Sequence, residues 1–421
     1  MERAALILTP VYSKLIEEDF FPYWEKFRDR KYGGILNCIS NDGKKLLSDH
    51  KFTWSQGRWL WILGKLHELC EKQLLRGIDR HLLEEWMEET YGFIIKYSLA
   101  ENGTCNYLLK RDGERIKDEN TGRFDTSIYA DCFALLGMSG YTRVMGKEAN
   151  LPDTVALYES IVQRVESGNF LTEPYPVPEG YCAHGIPMIM INTIQEYIRM
   201  KQYFSLPCER EIQYGMEKIN QIWNCFYDGK YIREFAGKGK VRENSMLEHH
   251  INPGHTLEDL WFMTEFMGQY GGLEKYLSRI CAVARDTFSL GWDEKYGGLF
   301  RFVDINGGKP EGESEHLSYE KLVEETWDMK LWWPHSEILY LFPCLYKLTG
   351  DKEMKLLYEQ SADYVFSVFP NKEIGEWNQI CRRDGIPEER IVALPVKDPF
   401  HIIRSFIKII ELEEKEHYGI L

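Results

Sequence analysis

The sequence predicts an all-α protein, an (α/α)6 barrel of six inner and six outer helices with short β-hairpins in the long loops at one end. Three observations predict it. Helical patterns of apolar residues restart near Trp54, Thr126, His184, His255, Trp327 and Pro399, at intervals of 72, 58, 71, 72 and 72 residues, so the chain repeats a unit. Each unit pairs a helix that is apolar on nearly every side with one that keeps a polar face. The links alternate too, short after the first kind of helix and long after the second.

In chain order, an outer helix is expected over residues 11–28 and the first inner helix over 54–69, where Trp54, Trp59, Leu60, Trp61, Ile62 and Leu63 leave no polar stripe. The outer helix over 79–98 carries Arg80, Glu84, Glu85, Glu88 and Glu89 on one face. The alternation continues with inner helices over 126–145, 184–204, 255–270, 327–348 and 399–414, and outer helices over 151–167, 209–225, 273–290 and 352–369. Inner-to-outer links are tight, as at Arg76-Gly77 and Thr349-Gly350. Outer-to-inner links are long, and three read as hairpins: Lys31-Tyr32-Gly33-Gly34-Ile35-Leu36, Asp228-Gly229-Lys230-Tyr231-Ile232-Arg233 and Lys295-Tyr296-Gly297-Gly298-Leu299-Phe300. Long ordered loops on a rigid scaffold are where binding residues gather, and every inner helix starts at that end. No Pro/Ser-rich linker, low-complexity tract or charge run divides the chain, so residues 1–421 are expected to form one barrel domain.

Composition narrows the function. With 51 basic and 66 acidic residues the net charge is −15, which argues against nucleic acid or an anionic membrane surface as partner and for a small-molecule substrate. The 25 Tyr, 21 Phe and 12 Trp supply core and can stack on sugar rings. No stretch approaches the ~20 apolar residues of a membrane span. The start, Met1-Glu2-Arg3 and then five apolar residues, is too short for the hydrophobic part of an export signal. The ten cysteines are scattered with no C-x-x-C pair, so free thiols in a reducing cytoplasm are expected.

Four stretches put ionisable side chains beside helix starts: Ser55-Gln56-Gly57-Arg58-Trp59, Asn252-Pro253-Gly254-His255-Thr256-Leu257-Glu258, Lys330-Leu331-Trp332-Trp333-Pro334-His335-Ser336-Glu337 and Lys397-Asp398-Pro399-Phe400-His401. Closing the barrel is expected to bring Arg58, His184, His255, His335, Glu337 and His401 to one pocket, as an acid–base site. A histidine at a helix amino terminus feels the positive end of the dipole, which favours the neutral ring that a general base requires. Glu258, three residues after His255, is placed to orient it. Arg58 offers five donors for a sugar oxygen or a developing enolate.

Plainer readings apply to several of these residues. Trp332-Trp333 serves a core as readily as a sugar platform, and His335 fits a structural hydrogen bond. Glu248-His249-His250-x4-His255 is not a metal site on this pattern, because Pro253-Gly254 breaks any helical i, i+4 pairing and no H-E-x-x-H or cysteine ligand accompanies it. Asp125 and Asp131, flanking Tyr129, match a glycosidase carboxylate pair, although Asp125 also fits a helix N-cap.

The stretches Asn252 to Glu258 and Met329 to Glu337, with Pro399-Phe400-His401-x-x-Arg404, resemble the signature segments of N-acylglucosamine 2-epimerases in order and spacing, along essentially the whole chain. The resemblance implies a catalytic set of Arg58, His255, Glu337 and His401, supported by Glu258 and Arg404, with Trp332, Trp333, His335 and His184 near the substrate. It implies a mechanism in which one histidine removes the C2 proton of an open-chain aldose and the other returns a proton to the opposite face, with no metal, nicotinamide or flavin. Relatives acting on unmodified sugars often carry a histidine pair flanking a methionine on the third inner helix. This chain reads Gly185-Ile186-Pro187-Met188-Ile189-Met190 there, similar to the N-acyl branch, which leaves the role of His184 open. The rivals are an aldose–ketose isomerase, an (α/α)6 glycoside hydrolase or lyase, and a non-catalytic sugar-binding protein. A homodimer and a nucleotide activator such as ATP remain options; without a G-x-x-x-x-G-K-[ST] loop, a nucleotide requires a non-standard site.

Overall fold

The computed structural model describes residues 8–239, 244–314, 316–392 and 394–417. Most of the initial segment read above for an export signal lies outside them. Six inner helices, Thr53–Glu71, Ile128–Val144, Gly185–Tyr203, Pro253–Tyr270, Trp332–Thr349 and Phe400–His417, pack in sequence order, and the last closes on the first. The outer layer comprises Arg80–Phe93, Leu151–Ser167, Glu209–Cys225, Leu273–Gly291 and Lys352–Val368, with a run from Thr9 to Glu25 interrupted by a π-turn over Leu15–Phe20. Side chains of the inner helices are buried almost all round, and one apolar core runs from Tyr12 to Ile410.

The fifth inner helix starts at Trp332, five residues later than the periodicity predicts. A separate helix, Ser318–Thr326, carries the buried Tyr319 and Val323 and so extends the apparent period upstream. The chain then turns into a two-residue strand, Lys330–Leu331, before the inner helix begins.

The loop strands also depart from the expected hairpins. The three glycine-rich turns are closed by single antiparallel bridges, Arg28 to Ile35, Tyr227 to Ile232 and Trp292 to Leu299. The ladders instead join consecutive loops: Lys51–Phe52 with Leu108–Leu109, Tyr181–Ala183 with Phe235–Gly237, His250–Ile251 with Val303–Asp304, and Lys330–Leu331 with Ile380–Cys381. Among the described residues, only Pro370–Asn371 with Glu376–Trp377 lies within one loop. Each inter-loop ladder ends within a few residues of an inner helix start, so it fixes where that helix presents its first turn. All ten cysteine thiols are free, and no helix of the described residues is long and apolar enough to cross a membrane.

Candidate active site

The first two inner helices approach closely at paired glycines. A Cβ on Gly57 would strike the Phe133 carbonyl, and one on Gly137 would strike the Gly57 carbonyl. This contact lays the Arg58 guanidinium over Phe133 at 3.9 Å, with Trp54 and Phe400 at 4.7 and 4.9 Å. Arg58 Nη1 donates to Asp398 Oδ2. The other oxygen of Asp398 accepts from the Phe400 N–H at 2.9 Å, capping the last inner helix. The Gln379 amide grips the Asp398 backbone twice, accepting its N–H at 2.8 Å and donating to its carbonyl at 2.9 Å.

On the fourth inner helix, the Asn252 side chain accepts the His255 N–H at 3.2 Å and Pro253 fills the first helical position. Gly254 is required because a Cβ there would enter the Trp333 ring. The His255 Nδ1 lies 2.9 and 3.0 Å from the two oxygens of Glu234, and 30% of its side-chain surface remains open. Burial on its own disfavours the imidazolium, but the Glu234 carboxylate outweighs it and raises the pKa of His255. The helix-start effect expected to favour a neutral ring is therefore opposed at His255 by Glu234. Glu234 also replaces Glu258 as the carboxylate that orients His255.

His401, on the second residue of the last inner helix, sits in the opposite electrostatic setting. Burial pushes it down to about 3, against the opposing pull of Glu258, and it is neutral at ordinary pH. Its Nδ1 donates to Glu337 Oε1 at 2.7 Å. Arg404, three residues on and on the same face, donates through Nη2 to Glu337 Oε1 at 2.6 Å and to Glu258. The Trp261 indole N–H donates to Glu337 Oε2 at 2.8 Å. Burial raises the Glu337 carboxyl above its usual value, yet three donors converge on its two oxygens, an arrangement that selects the carboxylate. Glu258, Glu337 and His401 bring ligand-type atoms within 4.8 Å of one another. The Arg404 guanidinium bonds both carboxylates of that trio, so a metal ion there would have to displace it.

Arg58, Glu234, His255, Glu258, Trp332, Trp333, Asp398, His401 and Arg404 all line one cavity of about 220 Å³. The Trp333 ring centroid is 5.1 Å from His255 and 5.7 Å from His401, so no more than the sum of these separates the two imidazoles. With each Nδ1 held by a carboxylate, the opposite ring edge, Nε2, is left for the cavity.

Three residues expected at the pocket are not on its wall. Glu337 is fully buried behind His401. His184 is fully buried and bonds Asp259 through Nε2 at 2.9 Å. His335 spends both nitrogens on the backbone, Nδ1 on the Leu331 carbonyl at 2.6 Å and Nε2 on the Leu299 N–H at 2.8 Å, and burial pushes it down to about 3. The glycosidase pair dissolves as well: Asp131 is a buried partner of Arg164 at 3.0 Å, Asp125 pairs with Arg123, and Ser127 takes the N-cap position. Glu234 and Arg301 went unseen in the sequence because they stand in loops with no periodicity to mark them. Asp398 was visible only as part of a motif.

A protein-family model, that of N-acylglucosamine 2-epimerase, matches residues 33–405. The N-acylglucosamine 2-epimerase of Mus musculus is 27% identical over 415 residues, 94% of this chain and 90% of that protein, and that of Homo sapiens 28% over 398 residues, 91% and 84%. Among solved structures, a cellobiose 2-epimerase from Bacillus thermoamylovorans superposes with a TM-score of 0.76 at 17% identity, covering 96% of this chain and 99% of that one. A D-mannose isomerase superposes at 0.74 and 12% identity, covering 98% and 100%. These structural likenesses show the fold, and the match of the family model shows more: the chain belongs to the N-acylglucosamine 2-epimerase family, as a carbohydrate 2-epimerase/isomerase.

Proposed function

We propose that this enzyme inverts C2 of an open-chain N-acylhexosamine, interconverting N-acetylglucosamine and N-acetylmannosamine, by proton transfer between His255 and His401. The observation that carries the reading is the pair of imidazoles on one cavity, touching the same Trp333 ring and each backed by a carboxylate. The C1 carbonyl makes the C2 proton acidic, and the neutral His401 Nε2 is the resting base. Arg58, held by Asp398 and walled by three aromatic rings, donates to the enolate oxygen as charge develops there. His255, whose proton Glu234 retains, delivers it to the other face of C2. Running from the other epimer, the two rings exchange roles.

The N-acyl preference rests on the third inner helix. It offers Gly185, Met188 and Ile189 to the cavity, an apolar wall without a titratable group, which suits an acyl methyl better than a hydroxyl. The cavity volume also falls below the ~300–1,000 Å³ of pockets for larger ligands, on the scale of a single sugar. Proton NMR in deuterium oxide tests the reading. N-acetylglucosamine and N-acetylmannosamine should both gain deuterium at C2 and interconvert, ahead of mannose, glucose and cellobiose. Faster exchange of the unmodified sugars would refute the N-acyl assignment, transfer to C1 would make the enzyme an aldose–ketose isomerase, and no exchange with any of them would refute epimerisation.

A further inference from the structure

Arg301 stands apart from every other cation around the cavity. It is 5% exposed and lines the wall, yet its guanidinium donates only to neutral oxygens: Thr326 Oγ1 at 3.0 Å, Tyr175 Oη at 3.3 Å and the Val392 carbonyl at 3.2 Å. The Phe302 ring lies 5.0 Å away. No carboxylate among the described residues forms an ion pair with it. The other two arginines on the wall are paired: Arg58 with Asp398, and Arg404 with Glu258 and Glu337. A buried cation without a counter-charge is costly, and an arriving anion removes the cost.

We propose that Arg301 is an anion-binding corner of this pocket and that, among N-acylhexosamines, the preferred substrate is an acidic one, carrying a carboxylate or phosphate away from C1 and C2. The guanidinium fork matches both groups in bidentate fashion. The position also fits. Tyr175 and Val392, which share the Arg301 donors, belong to the long loops, as Arg301 does, whereas Arg58, His255, His401 and Arg404 sit on inner helices. A sugar with its reducing end at the histidines therefore directs its far substituents to the loop side. The Tyr175 hydroxyl, which donates to the Val392 carbonyl at 2.6 Å, keeps that carbonyl satisfied when Arg301 turns to a ligand. The identification of the acidic ligand as substrate rests on the epimerase reading; the anion corner rests on Arg301 alone.

Calorimetry and C2 exchange on the full chain separate the two. The ligands are N-acetylglucosamine, its 6-phosphate, its 3-O-carboxyethyl ether and inorganic phosphate, against the wild type, Arg301→Met and Arg301→Lys. At least one acidic sugar should bind the wild type about 30-fold or more tightly than the neutral parent, the low end of the loss when a buried charge pair is broken. Arg301→Met should erase that gap and Arg301→Lys recover part of it. The same acidic sugar should exchange at C2 with the higher kcat/KM. Arg301-dependent binding of inorganic phosphate with no gain for the acidic sugars keeps the corner but overturns its assignment to substrate. Equal wild-type binding of acidic and neutral sugars, with no phosphate binding, overturns the corner even if neutral sugars epimerise. Arg301-dependent binding without C2 exchange for any sugar refutes the epimerase reading instead. Should Arg301→Met not fold, the wild-type ligand series and Arg301→Lys decide.

Discussion

The six inner helices carry charge at both ends of the barrel, and the two ends use it differently. At the far end, Lys65, Arg143, Arg199 and Lys408 alternate with Glu68, Glu196, Glu265 and Glu411. The links include Lys65 to Glu68 at 2.8 Å, Arg143 to Glu196 at 2.9 Å, Arg199 to Glu196 at 3.3 Å and Lys408 to Glu265 at 2.7 Å. Trp61 and Tyr340 donate to the same carboxylates at 3.2 and 2.6 Å. All six inner helices contribute, and four cations meet four anions. Burial alone would raise Glu196, but Arg143, Arg199 and Lys65 overcome it and hold its carboxyl down to about 2. At the loop end the carboxylates are spent on orienting side chains that face the cavity: Glu234 on His255, Glu337 on His401, Asp398 on Arg58. Charge paired on all sides locks helices together, whereas a histidine or arginine paired on one side and open to the cavity on the other does chemistry.

That contrast breaks most visibly if a histidine is removed. His255→Asn or His401→Asn should each lower kcat by at least ~100-fold with an unchanged thermal midpoint, since positioned acid–base groups supply 10²-fold or more. Arg58→Lys should also be damaging, because a point charge does not replace the fork that serves Asp398 and the enolate together. The far end should answer in the reverse way. Glu196→Gln leaves Arg143 and Arg199 short of a partner and should cost about 3 kcal/mol in denaturant unfolding, with kcat/KM of the folded enzyme unchanged.

Acid should separate the ends further. His401 and His335 are held neutral with pKa values of about 3, below the ~6.5 of an unfolded histidine, so the unfolded chain binds more protons between those values and stability falls as pH drops through that window. Glu196, depressed to about 2 against ~4.3 when unfolded, stabilises above ~4.3 and loses that contribution only as pH falls from there towards 2. Unfolding followed against pH should show the histidine loss first. Within the site, Glu234→Gln removes the carboxylate that raises His255, so the limb of the pH–rate profile set by this ring should move to lower pH. The smallest expected effect is that of exhaustive chelation, which should leave turnover unchanged because Arg404 already provides the positive charge between Glu258 and Glu337. Loss of activity restored by a divalent cation would contradict it.

The barrel was legible because its signal is local. A helix buried on every side writes apolar residues at all phases, and one buried on a single face writes a 3.6-residue period. What failed depended on distant partners. The start of the fifth inner helix is set by Lys330–Leu331 pairing with Ile380–Cys381, some fifty residues downstream. The i, i+3 spacing of His255 and Glu258 implied a pair, but Arg404 draws Glu258 away and Glu234 arrives from a loop. The same spacing between His401 and Arg404 does place both on one face, where they share Glu337. His335 sits in the right motif and on the right helix, yet a single turn of that helix points it at Leu299 and away from the cavity.

The most direct test of two bases on opposite faces of C2 is deuterium exchange by the single-histidine variants, measured separately from each pure epimer. His255→Asn retains the resting base His401, so it should wash deuterium into C2 of one epimer while forming almost none of the other. His401→Asn should show the complementary bias or lose exchange altogether. If either variant still interconverted both epimers at near wild-type rates, or if both variants exchanged the same epimer equally, C2 inversion by His255 and His401 would be wrong.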